Sequence, residues 1–145
     1  MPKATGWLSL VGFFGMLAVA NAQTPPPSTA GTKFDGTYAF HSSTKLTETY
    51  RTRSGQMGQC ADRIAGPLTV VNGHARYSGS GRMISREFEG TVGSQGELAM
   101  RTNAPAAFGM VEITLYGRID GNGTVTARQR GASCSYDFVW QKEHK

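Results

Sequence analysis

Leu68-Thr69-Val70-Val71-Asn72-Gly73-His74-Ala75-Arg76-Tyr77 sets an Asn-Gly pair between two short apolar runs. Asn-Gly suits a two-residue type I′ turn, because both central positions need φ > 0. Folding the chain there puts Val71 opposite His74, Val70 opposite Ala75, Thr69 opposite Arg76 and Leu68 opposite Tyr77. Strand side chains alternate between faces, so Leu68, Val70, Ala75 and Tyr77 then share one face, and Thr69, His74 and Arg76 the other. The stretch predicts an antiparallel hairpin with one buried side.

The same alternation recurs downstream. FEGTVGSQGELAMR (88–101) and LYGRIDGNGTVTAR (115–128) align without gaps. Each reads as a strand, a three-residue turn holding Gly96 or Gly123, and a second strand. Phe88, Gly90, Val92, Leu98 and Met100 would point inward in the first, and Leu115, Gly117, Ile119, Val125 and Ala127 in the second. This register sets Glu87 against Arg101 and Glu112 against Arg130 as outward ion pairs. Mid-strand Gly90 and Gly117 predict bulges or bends at barrel corners. In the last strand Cys134, Tyr136, Phe138 and Trp140 share the inward face.

Strands are expected near 36–43, 59–71, 74–79, 84–92, 96–102, 110–119, 124–131 and 133–141. The chain has 19 glycines in 145 residues, about twice the usual ~7%, and they punctuate short strands rather than helices. The fold expected is all-β: a small antiparallel meander of seven or eight strands in a closed or nearly closed barrel. Closure would remove exposed strand edges. Outward Glu, Arg, Thr and Ser argue against a membrane-spanning barrel.

Residues 1–22 read as a signal peptide. Lys3 precedes an apolar stretch from Trp7 to Ala20, and Ala20-Asn21-Ala22 offers a small-x-small cleavage pattern. A Pro-rich linker covers 23–33, the barrel-like domain 34–142 and a polar tail 143–145. The leader removes one of 15 basic residues and none of 10 acidic ones, so the exported chain stays positive. That charge is too dispersed for a nucleic-acid footprint. A periplasmic or secreted protein is expected, with no stable membrane insertion after cleavage. Two cysteines in such a chain pair by default, so Cys60 and Cys134 are read as a disulfide stapling the second strand to the last.

FDGTY, CADRIAGPLTVVNGHAR, FEGTVGSQGELAMRT, GRIDGNGTV and CSYDFVWQK together resemble short exported bacterial Gly-rich β-proteins. The resemblance spans most of 34–142. It implies the disulfide and the repeated hairpins, and it carries no activity onto individual residues.

No catalytic, phosphate-loop or metal motif is present. His41, His74 and His144 lie on separate segments, so neither metal nor cofactor is expected. One polar constellation stands out. By alternation Asp62, Arg86 and Gln129 all face inward, where a charge must be paired or lose several kcal/mol. They are read either as an Asp62–Arg86 ion pair at a barrel mouth or as the polar floor of a ligand site walled by Tyr38, Tyr77, Tyr136 and Trp140. The function expected is a non-catalytic binding module for a small ligand or envelope component. The alternatives are an interaction or inhibitor module acting through loops and the N-terminal arm, and an enzyme without a recognised motif.

Overall fold

The computed structural model of the protein describes residues 32–80, 85–106, 109–131 and 133–144. The expected signal peptide, its expected cleavage point and residues 23–31 of the expected linker lie outside the described residues. The elements are β1 (Gly36–Lys45), β2 (Thr49–Arg51), β3 (Met57–Gln59), β4 (Ile64–Ala65), β5 (Leu68–Val71), β6 (His74–Ser80), β7 (Ser85–Val92), β8 (Glu97–Ala106), β9 (Gly109–Ile119), β10 (Thr124–Arg130) and β11 (Ser135–Lys142). Each of β5 to β11 pairs antiparallel with the next, and β1 pairs with both β5 and β11. That closes an eight-stranded barrel, in which β4 continues β5 along β6. Closure pairs each barrel strand on both sides, which removes the edges that could pair with another chain.

The Asn-Gly hairpin stands as expected. Asn72 and Gly73 have φ of 51° and 74°, and Thr69–Arg76, Val70–Ala75 and Val71–His74 are partners. Asp35 accepts hydrogen bonds from both turn amides, tying the start of the domain to the hairpin. Leu68, Val70, Ala75 and Tyr77 are buried, as are Tyr136, Phe138 and Trp140 on β11.

The repeated hairpins keep their inward faces but pair two residues away from the expected register. Glu89 lies opposite Arg101, and Thr114 opposite Arg130. Glu87 instead pairs with Arg76 at 2.9 Å, and Glu112 approaches Arg101 at 3.8 Å. The cause is the turn. Gly96 and Gly123, at φ of 87° and 81°, each close a three-residue loop as its last member. Gly93 N–H donates to Glu97 and Asp120 N–H to Thr124, so each loop begins one residue later than expected. This is the type I turn followed by a left-handed residue that three-residue hairpins favour.

Gly90 and Gly117 mark no bulge, since pairing runs through both without a shift. A Cβ at either would run into the neighbouring strand's backbone at Ala99 or Thr126. These glycines let adjacent strands approach closely. The register shift in the barrel falls in β1, between Phe40 and Ser42.

The expected second strand, 59–71, is broken. Residues 57–59 belong to a separate hairpin, and Gly66-Pro67 interrupts the remainder between β4 and β5. Pro67 has no N–H to give a ladder, while Gly66 N–H donates to Ser78 O and Gly66 O accepts from Trp140 Nε1 at 3.0 Å. That bond satisfies the fully buried indole. Cys134 also departs from expectation: it sits between β10 and β11, partly buried, because Gly131 N–H bonds Cys134 O and turns the chain there. The Cys60–Cys134 disulfide forms, with Cα atoms 5.8 Å apart. It ties the segment after β3 to the β10–β11 connection, rather than strand to strand.

Candidate functional site

The two ends of the barrel differ in how they are closed. At one end lie the tight turns at 72–73, 94–96 and 121–123, and the buried Phe34 packs beside Gly96 there. Its carbonyl accepts a 2.6 Å hydrogen bond from the buried Tyr38 hydroxyl. The middle is filled by aromatic rings. Tyr77 stacks on Phe88 with centroids 4.7 Å apart and meets Trp140 edge-on at 5.2 Å, and Phe138 lies 5.4 Å from Trp140. An eight-stranded barrel has an interior just wide enough for such filling.

Among the described residues the other end is left open. A cavity of about 690 Å³ lies there, lined by Arg63, Arg86, Gln129, Tyr136 and Ile113 among others. That volume falls in the range of small-molecule sites. Its inner extension shrinks to about 10 Å³ and is bounded by Arg63, Arg86, Gln129, Phe88 and Phe138. Space of that size holds about one water. The aromatic filling is thus the floor, and the arginines and Gln129 stand on it.

The segment from 46 to 63, whose last residues were expected to begin the second strand, carries the β2–β3 hairpin. It is fastened over the rim by several bonds. Leu46 N–H donates to Ser135 O on β11. Ser43 Oγ donates to Arg63 O at 2.6 Å, and Tyr136 Oη to Ala61 O at 2.8 Å. The disulfide adds a covalent tie. Tyr50, on β2, reaches the cavity wall.

The expected site residues divide. Arg86, Gln129 and Tyr136 come together in the cavity, and Tyr77 touches it through a long 3.5 Å hydrogen bond from its hydroxyl to Gln129 Oε1. Gln129 is 5% exposed. With its oxygen facing Tyr77, its amide N–H groups are what it presents to the cavity. Tyr38 and Trp140 are core residues and stand apart from the cavity lining. Asp62 does not face inward. Its side chain is 89% exposed at the rim and pairs with Lys45 Nζ at 3.1 Å, not with Arg86. Asp62 lies in the irregular segment before β4, where strand alternation does not apply.

Arg63 was not legible by alternation, which would have turned it outward. Its guanidinium lies 5.5 Å from the Tyr136 ring centroid, a cation–π distance. Neither Arg63 nor Arg86 is in ion-pair range of a described carboxylate. Lys45, by contrast, is held above its usual range by the hydrogen bond to Asp62. Burial pushes the Tyr77 phenol far above its ordinary value, and the Arg63 charge opposes that only in part.

Among the described residues no group of three or more His, Cys, Asp or Glu could hold a metal, and no helix is long and apolar enough to cross a membrane. No protein-family model, curated protein or solved structure matches the chain.

Proposed function

We propose that the protein is an exported, non-catalytic binding module that takes a small ligand into the open end of its barrel. One observation carries this reading: a cavity of about 690 Å³ whose two arginines face no described carboxylate partner. Structural arginines in a core are paired, because an uncompensated charge out of water is costly. Arginines kept unpaired in a concave, partly apolar space are placed to meet something that arrives. The disulfide, which fits an oxidising compartment, supports export to the periplasm or the medium.

The described residues of the site offer no nucleophile–base couple, which favours binding over catalysis. An interaction or inhibitor module is the second reading. It rests on Met57, Ile64 and Met110, at the starts of β3, β4 and β9 and at least 62% exposed. Native mass spectrometry of the protein recovered from its exporting cell separates the two. A stoichiometric small molecule, lost when Ala104→Trp fills the cavity, is the expected result. A bare protein that instead captures another chain with the filled variant as well as the parent would favour the second reading.

A further inference from the structure

Arg63, Arg86 and Gln129 line both the 690 Å³ cavity and the narrow space at its floor. One wall above them is of another kind. Ala104, Pro105 and Val111, from β8 and β9, line only the outer cavity. The floor also carries Ile113, Phe88 and Phe138, and the outer lining elsewhere carries Tyr50, Gln59 and Ser133. The site is therefore graded along its β8–β9 side, with Arg63, Arg86 and Gln129 below and Ala104, Pro105 and Val111 above. Asp62, the acid on its lining, is already engaged by Lys45.

From this grading we infer that the ligand is a small amphipathic anion, bound head first, its carboxylate or similar oxyanion on Arg63 and Arg86 and its apolar body on the Ala104–Val111 wall. The inference rests on the binding-module reading and names the ligand class for it. Two guanidiniums present planar forks of N–H donors that match an oxyanion, and Gln129 adds a neutral amide donor beside them. A cationic ligand would meet two like charges, and the carboxylate on the lining, Asp62, is already engaged by Lys45. A neutral polyol would leave both arginines desolvated and unmatched. A bare inorganic anion would satisfy the floor but leave the apolar wall wet. An anion with an apolar tail answers both halves.

Calorimetric titration of the disulfide-bonded protein with octanoate, 1-octanol and octyltrimethylammonium tests the head group, since the three differ there while keeping the same chain length. Octanoate should bind at least tenfold more tightly than octanol, and the ammonium compound should not bind. Arg86→Gln and Arg63→Gln should each weaken octanoate about tenfold or more, the usual size for a lost hydrogen bond to a charged group. Arg76→Gln, on the outer face against Glu87 and Glu89, should leave the affinity unchanged. Arg63 lies outside the strands, so its variant keeps the test open should Arg86→Gln fail to fold.

A series from butanoate to octanoate tests the direction of entry. Each added CH₂ should raise affinity about three- to fourfold as it covers the outer wall. Val111→Ser should flatten that slope and spare butanoate, whereas Arg86→Gln should lower the whole series alike. Octanol or the ammonium compound binding as tightly as octanoate would overturn the anion while leaving a binding module standing. Failure of all three probes to bind would overturn the anion as well. A natural ligand seen by native mass spectrometry would then show whether the broader reading survives. A chain-length slope insensitive to Val111→Ser would overturn the head-first orientation.

Discussion

Lys45 Nζ lies 3.1 Å from Asp62 Oδ1, and this contact decides the chemistry of the barrel mouth. It holds the Asp62 carboxylate at the rim, and Arg86 lines the cavity with no described carboxylate in ion-pair range. Arg86→Ala should therefore lower stability by only about 1 kcal/mol or less, the loss of partial packing rather than of a buried ion pair. Adding Asp62→Ala should change nothing further. A urea-melt double-mutant cycle over Arg86 and Asp62 should return a coupling near zero. A cost of several kcal/mol rescued by the second substitution would mean that the two residues are partners after all.

The disulfide should matter for both stability and shape. Cys60 and Cys134 are 74 residues apart in sequence, and closing a loop that long constrains the unfolded chain strongly. Replacing both by alanine should cost about 2–5 kcal/mol, read as a lower urea midpoint. Because the bond holds the 46–63 segment at the rim, octanoate affinity should fall too, even at temperatures where the variant stays folded. Unchanged affinity would show that the hydrogen bonds at Ser43 and Tyr136 alone hold that segment in place.

The two repeated turns make a matched pair of predictions. At φ of 87° and 81°, Gly96 and Gly123 hold left-handed backbone that an L side chain resists. Alanine at either should destabilise by at least ~1–2 kcal/mol. Gly96→Ala should be worse where neighbours cannot yield, since its Cβ would press on the Ile119 backbone carbonyl. At Gly123 the nearest obstacle is the Lys142 Cβ, which is less close than the Ile119 carbonyl is to Gly96. Thermal melts of the two variants should rank in that order.

These turns also show how far the sequence can be read. Alternation between faces was legible throughout the hairpins, because burial enforces a period of two. A pairing shift of two residues keeps every face unchanged, so the pattern carried no information about it. That is why Glu87 and Glu112 have other partners than expected. At the site, Gln129 was legible because it sits inside a regular strand. Asp62 and Arg63 were not, because Gly66-Pro67 and the β2–β3 hairpin break the strand that the alternation assumed. The break itself is visible in Gly66-Pro67, and reading it as a stop would have freed Arg63 to be considered. Arg86, near the start of β7, was still in phase.

Acid should act through the outer face. Asp137 is held below the usual carboxylate range by hydrogen bonds from Arg128, at 2.8 and 2.9 Å. A depressed folded pKa gives stability that is present above the unfolded value and lost as pH falls through the folded one. Stability should thus decline below about pH 4. Asp137→Asn should remove that share of the decline, read as a shallower dependence of Tm on pH in the acid range.

Alkali should act through the core, with the opposite sign. The Tyr77 phenol is buried between Phe88 and Trp140, and its hydroxyl makes the long bond to Gln129. Burial disfavours phenolate, so its folded pKa lies above the ordinary value near 10. The unfolded chain ionises at that ordinary value while the folded one does not. The stability held by the neutral phenol is therefore complete below about pH 10 and is lost as pH rises beyond it. Spectrophotometric titration should show this tyrosine ionising only as the barrel unfolds. Tyr77→Phe should keep the stacking and give a shallower fall of Tm above about pH 10. Some fall should persist, because burial also raises the Tyr38 phenol. A Tyr77→Phe protein whose alkaline decline overlays the parent's would mean that phenolate reaches water through the cavity, and that the floor beneath Gln129 is open rather than closed.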